Sequence, residues 1–190
     1  MTGGIGAGKS ELLRAFARHG AAVLSSDEIV HRLLREDGAV KRAVVERFGD
    51  RVLDGAGEID RARVAEIVFA DRDALAWLEA LVHPRVLAAY EAWRQRLAGT
   101  NDPPAVCVIE VPLLYEVGAE PRFDAVAVVT APRRVRAARV RRPLEERERR
   151  LLPDDEKVAR ADFAYVNDGS LADLDAFASD VLAKLTCAGH

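Results

Sequence analysis

Met1-Thr2-Gly3-Gly4-Ile5-Gly6-Ala7-Gly8-Lys9-Ser10 opens the chain, and from Gly3 onward it fits the pattern Gly-x-x-x-x-Gly-Lys-Ser. Glycines at this spacing let consecutive backbone N–H groups turn inward, and a helix behind them adds the partial positive charge of its N-terminus. The stretch therefore reads as a phosphate-binding loop. In such a loop Lys9 reaches the outer phosphates of a nucleotide, and the Ser10 hydroxyl suits Mg²⁺. A loop of this kind hangs between a buried strand and a helix, yet only Met1 and Thr2 precede it here.

Working outward, Ser10 to His19 has helical spacing (Leu12, Leu13, Phe16) and Gly20 is a natural stop. Ala21 to Leu24 is a short apolar run of strand length, followed by Ser25-Ser26-Asp27. Five amphipathic helices are predicted next, over 28–34, 40–48, 61–70, 74–82 and 86–97. Asp60 is placed to cap one of them, and Pro84 suits the first turn of the last. Ala105 to Val111 and Asp124 to Thr130 are continuous apolar runs, as parallel strands buried on both faces require. A charge-dense helical stretch follows over 133–157, then a short strand over 163–166 and a closing helix over 171–185. Strands alternating with helices give an α/β fold.

The composition bounds the function. At 190 residues, with 49% hydrophobic and 31% charged residues, the chain suits a single domain, 1–190, with a real core. A formal charge of −3 gives no nucleic-acid footprint. No apolar run approaches membrane-spanning length, and no charged-then-apolar leader precedes the loop. Cys107 sits in an apolar run and Cys187 in the tail, a usage that fits reduced thiols in the cytoplasm. The sequence carries no signal for an oligomeric state.

Other residues offer chemistry with a plainer reading beside it. Asp27 falls near the carboxyl end of the second strand, where open α/β sheets bind ligands, and could accept a hydroxyl proton. It could equally be a favourable charge in a helix's first turn, with Ser25 or Ser26 as cap. Glu110, before Val111-Pro112, resembles the acid that assists Mg²⁺ in phosphate-loop enzymes, or is a solvated strand-end acid. His83, before Pro84, reads as a structural hydrogen-bonder or a site residue. His19, His31 and His190 form no metal-ligand spacing with it. Arg133, Arg134, Arg136, Arg139, Arg141 and Arg142 are dense enough to clamp phosphates, and equally suit a solvated helix face.

Several stretches together resemble the dephospho-CoA kinase family: TGGIGAGKS, SSDEIVHRL, GEIDRARVAEIVF, LEALVHPRV, EVPLLYE, LLPDDEK and ADFAYVNDGSLADL, in that order. The resemblance implies a parallel-sheet phosphate-loop kinase core of the nucleoside-monophosphate-kinase type. A helical CoA-side region over about 28–97 and a helical lid over about 133–157 would be inserted in it. It implies transfer of the ATP γ-phosphate to the ribose 3′-hydroxyl of dephospho-CoA, the last step of CoA synthesis. Carried over by motif, Gly6, Ala7, Gly8, Lys9, Ser10 and Glu11 would bind ATP, with Asn167 and Gly169 near the adenine; an arginine of the lid, taken as Arg139 although the run itself singles none out, would join them. Asp27 would be the general base and Lys9 the catalytic cation. Asp27, His83, Pro112 and Leu113 would face the substrate, and Ser10 and Glu110 the Mg²⁺.

The chain departs from the family pattern at Glu11 (usually Thr), Ser25 (usually Asp), Leu151 (commonly Gln) and a segment that looks shortened around Arg142-Pro143. The first strand looks truncated, and we expect the natural protein to begin a few residues upstream, in an apolar segment. The alternatives to the kinase are another small-metabolite or nucleotide kinase on the same core, and a nucleotide-binding switch or ATPase. Against a switch, the chain has no Asn-Lys-x-Asp segment.

Overall fold

Four short runs of apolar, β-rich sequence become parallel strands, and the opening residues become a fifth. The computed structural model describes residues 1–140, 148 and 151–188. Its strands are β1 (Thr2–Gly3), β2 (Ala22–Ser25), β3 (Cys107–Glu110), β4 (Ala127–Thr130) and β5 (Phe163–Val166). β2 pairs with β3 in the register Ser25 to Glu110, and β4 lies between β1 and β5. Met1 joins the two pieces. Its amine donates to the Ile109 carbonyl at 2.6 Å, and its carbonyl accepts from the Val111 N–H at 2.9 Å. Those two bonds bracket Glu110, as a parallel ladder does. The order is therefore β2-β3-β1-β4-β5, with the opening residues at the centre of the sheet. β1 itself is only two residues long, beside neighbours of four.

The chain divides into two units. One comprises Met1–Ser25 with Asp102–His190, and the other Ser26–Asn101. In the first, helices α1 (Lys9–Arg18) and α8 (Leu171–Ala188) pack together over the sheet. Leu12, Ala15, Phe16, Val129, Leu174, Ala178 and Val181 are buried between them. Two shorter helices, α6 (Arg133–Arg139) and α7 (Asp154–Ala159), lie within the stretch expected as a lid. Its middle, including Arg141, Arg142 and Pro143, lies outside the described residues, as does His190.

The second unit is helical: α2 (Ser26–Glu36), α3 (Gly38–Phe48), α4 (Arg61–Ala70) and α5 (Arg72–Ala98). Its own core holds Leu34, Val40, Val44, Phe48, Val52, Val64, Val68 and Ala74, with Trp77 edge-on to Phe48 at 5.2 Å. Asp60 caps α4 as expected, accepting from the N–H groups of Ala62 and Arg63.

One expectation is corrected here. The predicted helices over 74–82 and 86–97 are a single 27-residue helix, α5, with Pro84 in its interior rather than in a first turn. Proline removes one helical N–H and disfavours the interior of a helix. Here burial decides against that local preference: Val82, Val86 and Tyr90 are all buried along one continuous helix.

Candidate active site

The site starts at the N-terminus of α1. Gly8 precedes it in the left-handed region at φ 103°, and no side chain caps the helix. A side chain could not replace Gly8, because its Cβ would lie 2.3 Å from Asn167 Nδ2. Gly6 is similar: φ is +73°, and a Cβ would meet the Arg136 carbonyl oxygen at 2.9 Å. The loop is thus closely covered, and glycine is what permits it.

Asn167 shows how the loop is held. It is 6% exposed at the end of β5, and its Nδ2 donates to the Ala7 carbonyl at 2.8 Å. Its backbone N–H donates to Thr130 at the end of β4, 2.7 Å away. The side chain expected near an adenine therefore anchors the loop in this structure. Gly169 follows two residues later, exposed, just before Ser170 and Asp173 cap α8 reciprocally.

Lys9 lies along the loop, its Nζ donating to the carbonyls of Gly3 (3.2 Å) and Gly4 (3.0 Å). Ser10 is exposed on the first turn of α1. Arg139, from α6, reaches the Gly6 carbonyl at 3.3 Å, so one arginine of the dense run does contact the loop. Glu11 is tied along the helix to Arg14 at 2.7 Å and Arg18 at 3.2 Å, and the hydrogen bonds from both guanidiniums hold its carboxyl below the ordinary value. Glu110 is only 5% exposed, which removes the solvated-acid reading. Its charge pulls the neighbouring Met1 amine upward, but burial dominates and pushes that amine down to about 5. Pro112 and Leu113 are half-buried on the turn after β3, where the Pro112 carbonyl accepts from Thr2 Oγ1 at 3.3 Å.

The helical unit carries the other two expected residues. Asp27 is exposed in the first turn of α2, two residues after β2 ends. Beside it, the Ser26 hydroxyl bonds to the Tyr90 hydroxyl from α5. Burial raises the Tyr90 pKa, and the charge of Asp27 adds to that rise. His83 is exposed in the middle of α5, not between helices.

One group at the loop was not singled out by sequence reasoning, and a second was legible only as one arginine of a dense run. Asp154, at the start of α7, lies so close to Gly4 that a Cβ there would be 2.8 Å from its Oδ1. Arg136 stands beside it, 3.5 Å from Asp154 Oδ2 and paired with Glu148. Burial raises the Asp154 pKa, against the opposing charges of Arg136 and Lys157. The available signal was the LLPDDEK stretch, whose role is set by folding and not by spacing.

Comparison with known proteins adds to this geometry. A family model described as dephospho-CoA kinase matches residues 1–173. A dephospho-CoA kinase of Thermobifida fusca is 37% identical over 97% of this chain and 94% of its own length. One of Mesorhizobium japonicum is 42% identical over 86% of this chain and 83% of its own. A crystal structure of a Thermus thermophilus protein superposes with a TM-score of 0.78 at 35% identity, covering 97% of this chain and 95% of that one. The dephospho-CoA kinase of Campylobacter jejuni superposes at 0.70 with 27% identity, covering 100% of this chain and 96% of that one.

Proposed function

The chain belongs to the dephospho-CoA kinase family, and on that premise we propose how its own residues divide the work. The reaction is ATP-dependent phosphorylation of dephospho-CoA to CoA, the final step of CoA biosynthesis.

ATP lies with its phosphates over residues 6–10 and the open N-terminus of α1. Asp27 takes the proton of the ribose 3′-hydroxyl while that oxygen bonds to the γ-phosphorus. The bond from the γ-phosphorus to the bridging oxygen breaks, and ADP leaves with that electron pair. Lys9 leaves its loop carbonyls for the β- and γ-phosphate oxygens, where its charge offsets the charge that develops during transfer. Positioning and electrostatics do most of the work in such a reaction. Arg139 adds a second cation above the loop. The region over about 28–97, with His83, holds the CoA side together with Pro112 and Leu113.

Ser10 and Glu110 fit an Mg²⁺ ion: one offers an exposed hydroxyl at the helix start, the other a buried carboxylate at a strand's end. Among the described residues no cluster of three acidic, His or Cys side chains could hold a metal ion. When bound, the ion neutralises phosphate charge. The surroundings we propose are the cytoplasm, the compartment that the cysteine usage of the sequence fits. No described helix is long and apolar enough to cross a membrane.

The observation that carries this reading is the uncapped N-terminus of α1 behind a loop closely covered by Asn167, Arg136 and Arg139. ADP release from ATP, with and without dephospho-CoA, tests it. Release should depend on dephospho-CoA and not on nucleoside monophosphates, gluconate or shikimate. Hydrogen exchange tests the division of labour: dephospho-CoA should slow exchange within 28–97, and a non-hydrolysable ATP analogue within 3–13. Protection of the loop alone by both ligands would remove the helical unit from substrate binding.

A further inference from the structure

Lys157 is the most deeply buried cation among the described residues, with a fully buried side chain on α7. Its Nζ lies 2.8 Å from Glu116 Oε1 on the turn after β3. Glu116 is itself nearly buried, and the same Oε1 accepts from the Leu152 N–H at 3.0 Å. One carboxylate thus holds both ends of the segment 152–157. The contact with Lys157 is a charge pair more than an aligned hydrogen bond, since Nζ and Glu116 Oε2 both keep unused capacity. A second clasp runs beside it: Arg160 pairs with Glu120 and stacks over the Tyr115 ring at 4.4 Å.

The held segment reaches the phosphate loop. Asp154, three residues before Lys157, presses its carboxylate against Gly4 and pairs with Arg136, whose backbone covers Gly6. Glu116 sits four residues after Pro112 on the turn that leaves β3. A buried ion pair is a poor source of net stability, because desolvating two charges offsets their attraction. Holding one segment in one place is a use that such a pair can serve.

We propose that the Glu116–Lys157 ion pair positions α7, and through Asp154 and Arg136 the cover of the phosphate loop, for ATP use. Both are positioning residues and touch no substrate. The inference rests on reading residues 3–10 as the ATP site.

The test uses Lys157→Met, Lys157→Arg and the double variant Glu116→Gln/Lys157→Met, whose amide oxygen still accepts from the Leu152 N–H, in the full chain. kcat and KM for ATP are measured per folded molecule, and melting temperature is measured separately. Lys157→Met should lower kcat/KM for ATP by about tenfold to a hundredfold, the scale of small misplacements around a reacting group. Lys157→Arg should restore most of the loss. The double variant removes both charges, so it should regain stability while kcat/KM for ATP stays at least about tenfold down. It therefore separates positioning from packing even where Lys157→Met does not fold. A double variant with kcat and KM for ATP within about twofold of the parent overturns the proposal and leaves the pair a packing feature. Failure of the ATP-site reading looks different: the parent chain itself would then lack dephospho-CoA-dependent ADP release.

Discussion

Most helix N-termini described in the two units are treated in opposite ways, with α8 the exception, capped by Ser170 in the sheet-bearing unit. In the helical unit, α3, α4 and α5 each start on an aspartate (Asp37, Asp60, Asp71) whose carboxylate accepts from two backbone N–H groups. In the sheet-bearing unit, α1 starts on left-handed Gly8 with no side-chain cap, and α6 and α7 start after prolines without one either. The first N–H groups of a helix have no intrahelical partner. The helical unit satisfies them from within and gains stability. At α1 no side-chain oxygen takes that place, and the ATP phosphates are proposed to lie there. A capped helix is finished by its own sequence, whereas the uncapped α1 behind its glycine loop leaves room for the proposed phosphate.

The largest way to break this contrast is Lys9→Ala. It should lower turnover by about 10³–10⁵-fold, the range for removing a charge that stabilises phosphoryl transfer, while the melting temperature hardly moves. A coupled ADP assay beside thermal unfolding checks both. Near-normal turnover would strip the open helix end of its role.

Asp27→Asn comes next. It keeps shape and hydrogen bonding at the start of α2 but removes the base, so the rate should fall about 10²–10⁴-fold with ATP affinity unchanged by calorimetry. If the variant loses only stability, Asp27 joins the other aspartates of its unit as a helix-start charge, and the contrast between units sharpens.

Asp60→Ala probes the opposite pole. Losing the bonds from Ala62 (2.9 Å) and Arg63 (3.3 Å) should cost about 0.5–2 kcal/mol of unfolding free energy, read by denaturant titration. kcat per folded molecule should not change. A kinetic effect larger than the stability effect would mean that capping in the helical unit also serves catalysis.

The smallest expected effect lies between α1 and α8. Asp175 accepts from Arg18 at 2.9 and 2.7 Å and from His19 at 2.8 Å, and those bonds, Arg18's first, hold its carboxyl below the ordinary 3.8. A carboxyl lowered on folding contributes stability above its unfolded value and loses it as pH falls through the folded one. Asp175→Asn should therefore flatten stability slightly below pH about 4 and leave it nearly unchanged near pH 2. These partners are exposed, and exposed ion pairs contribute little. Equal slopes of stability against pH in the two proteins below about pH 4 would remove the contribution of Asp175.

Much of this was legible because it is local. A loop needs glycines at fixed positions, a cap needs a short oxygen two or three residues before its N–H groups, and buried parallel strands need unbroken apolar runs. Hence Gly6 to Ser10, Asp60, β5 and α4 could be read directly. Pro84 misled because its local preference for a helix start was overruled by the buried face of α5. The opening residues were legible as a loop on a truncated strand, but which strands flank that strand depends on partners more than a hundred residues away.

By itself the sequence determined the α/β class, the phosphate loop and, through its ordered motifs, the family. Those rest on spacing along the chain, which is covalent and needs no fold to be read. Only the tertiary structure decided that Asn167 holds Ala7, that Asp154 lies on Gly4, and that Glu116 meets Lys157 in a buried pair. Each is a contact between residues far apart in the chain, and no local preference specifies it. It exists because packing the sheet and its helices leaves those side chains that one place to go.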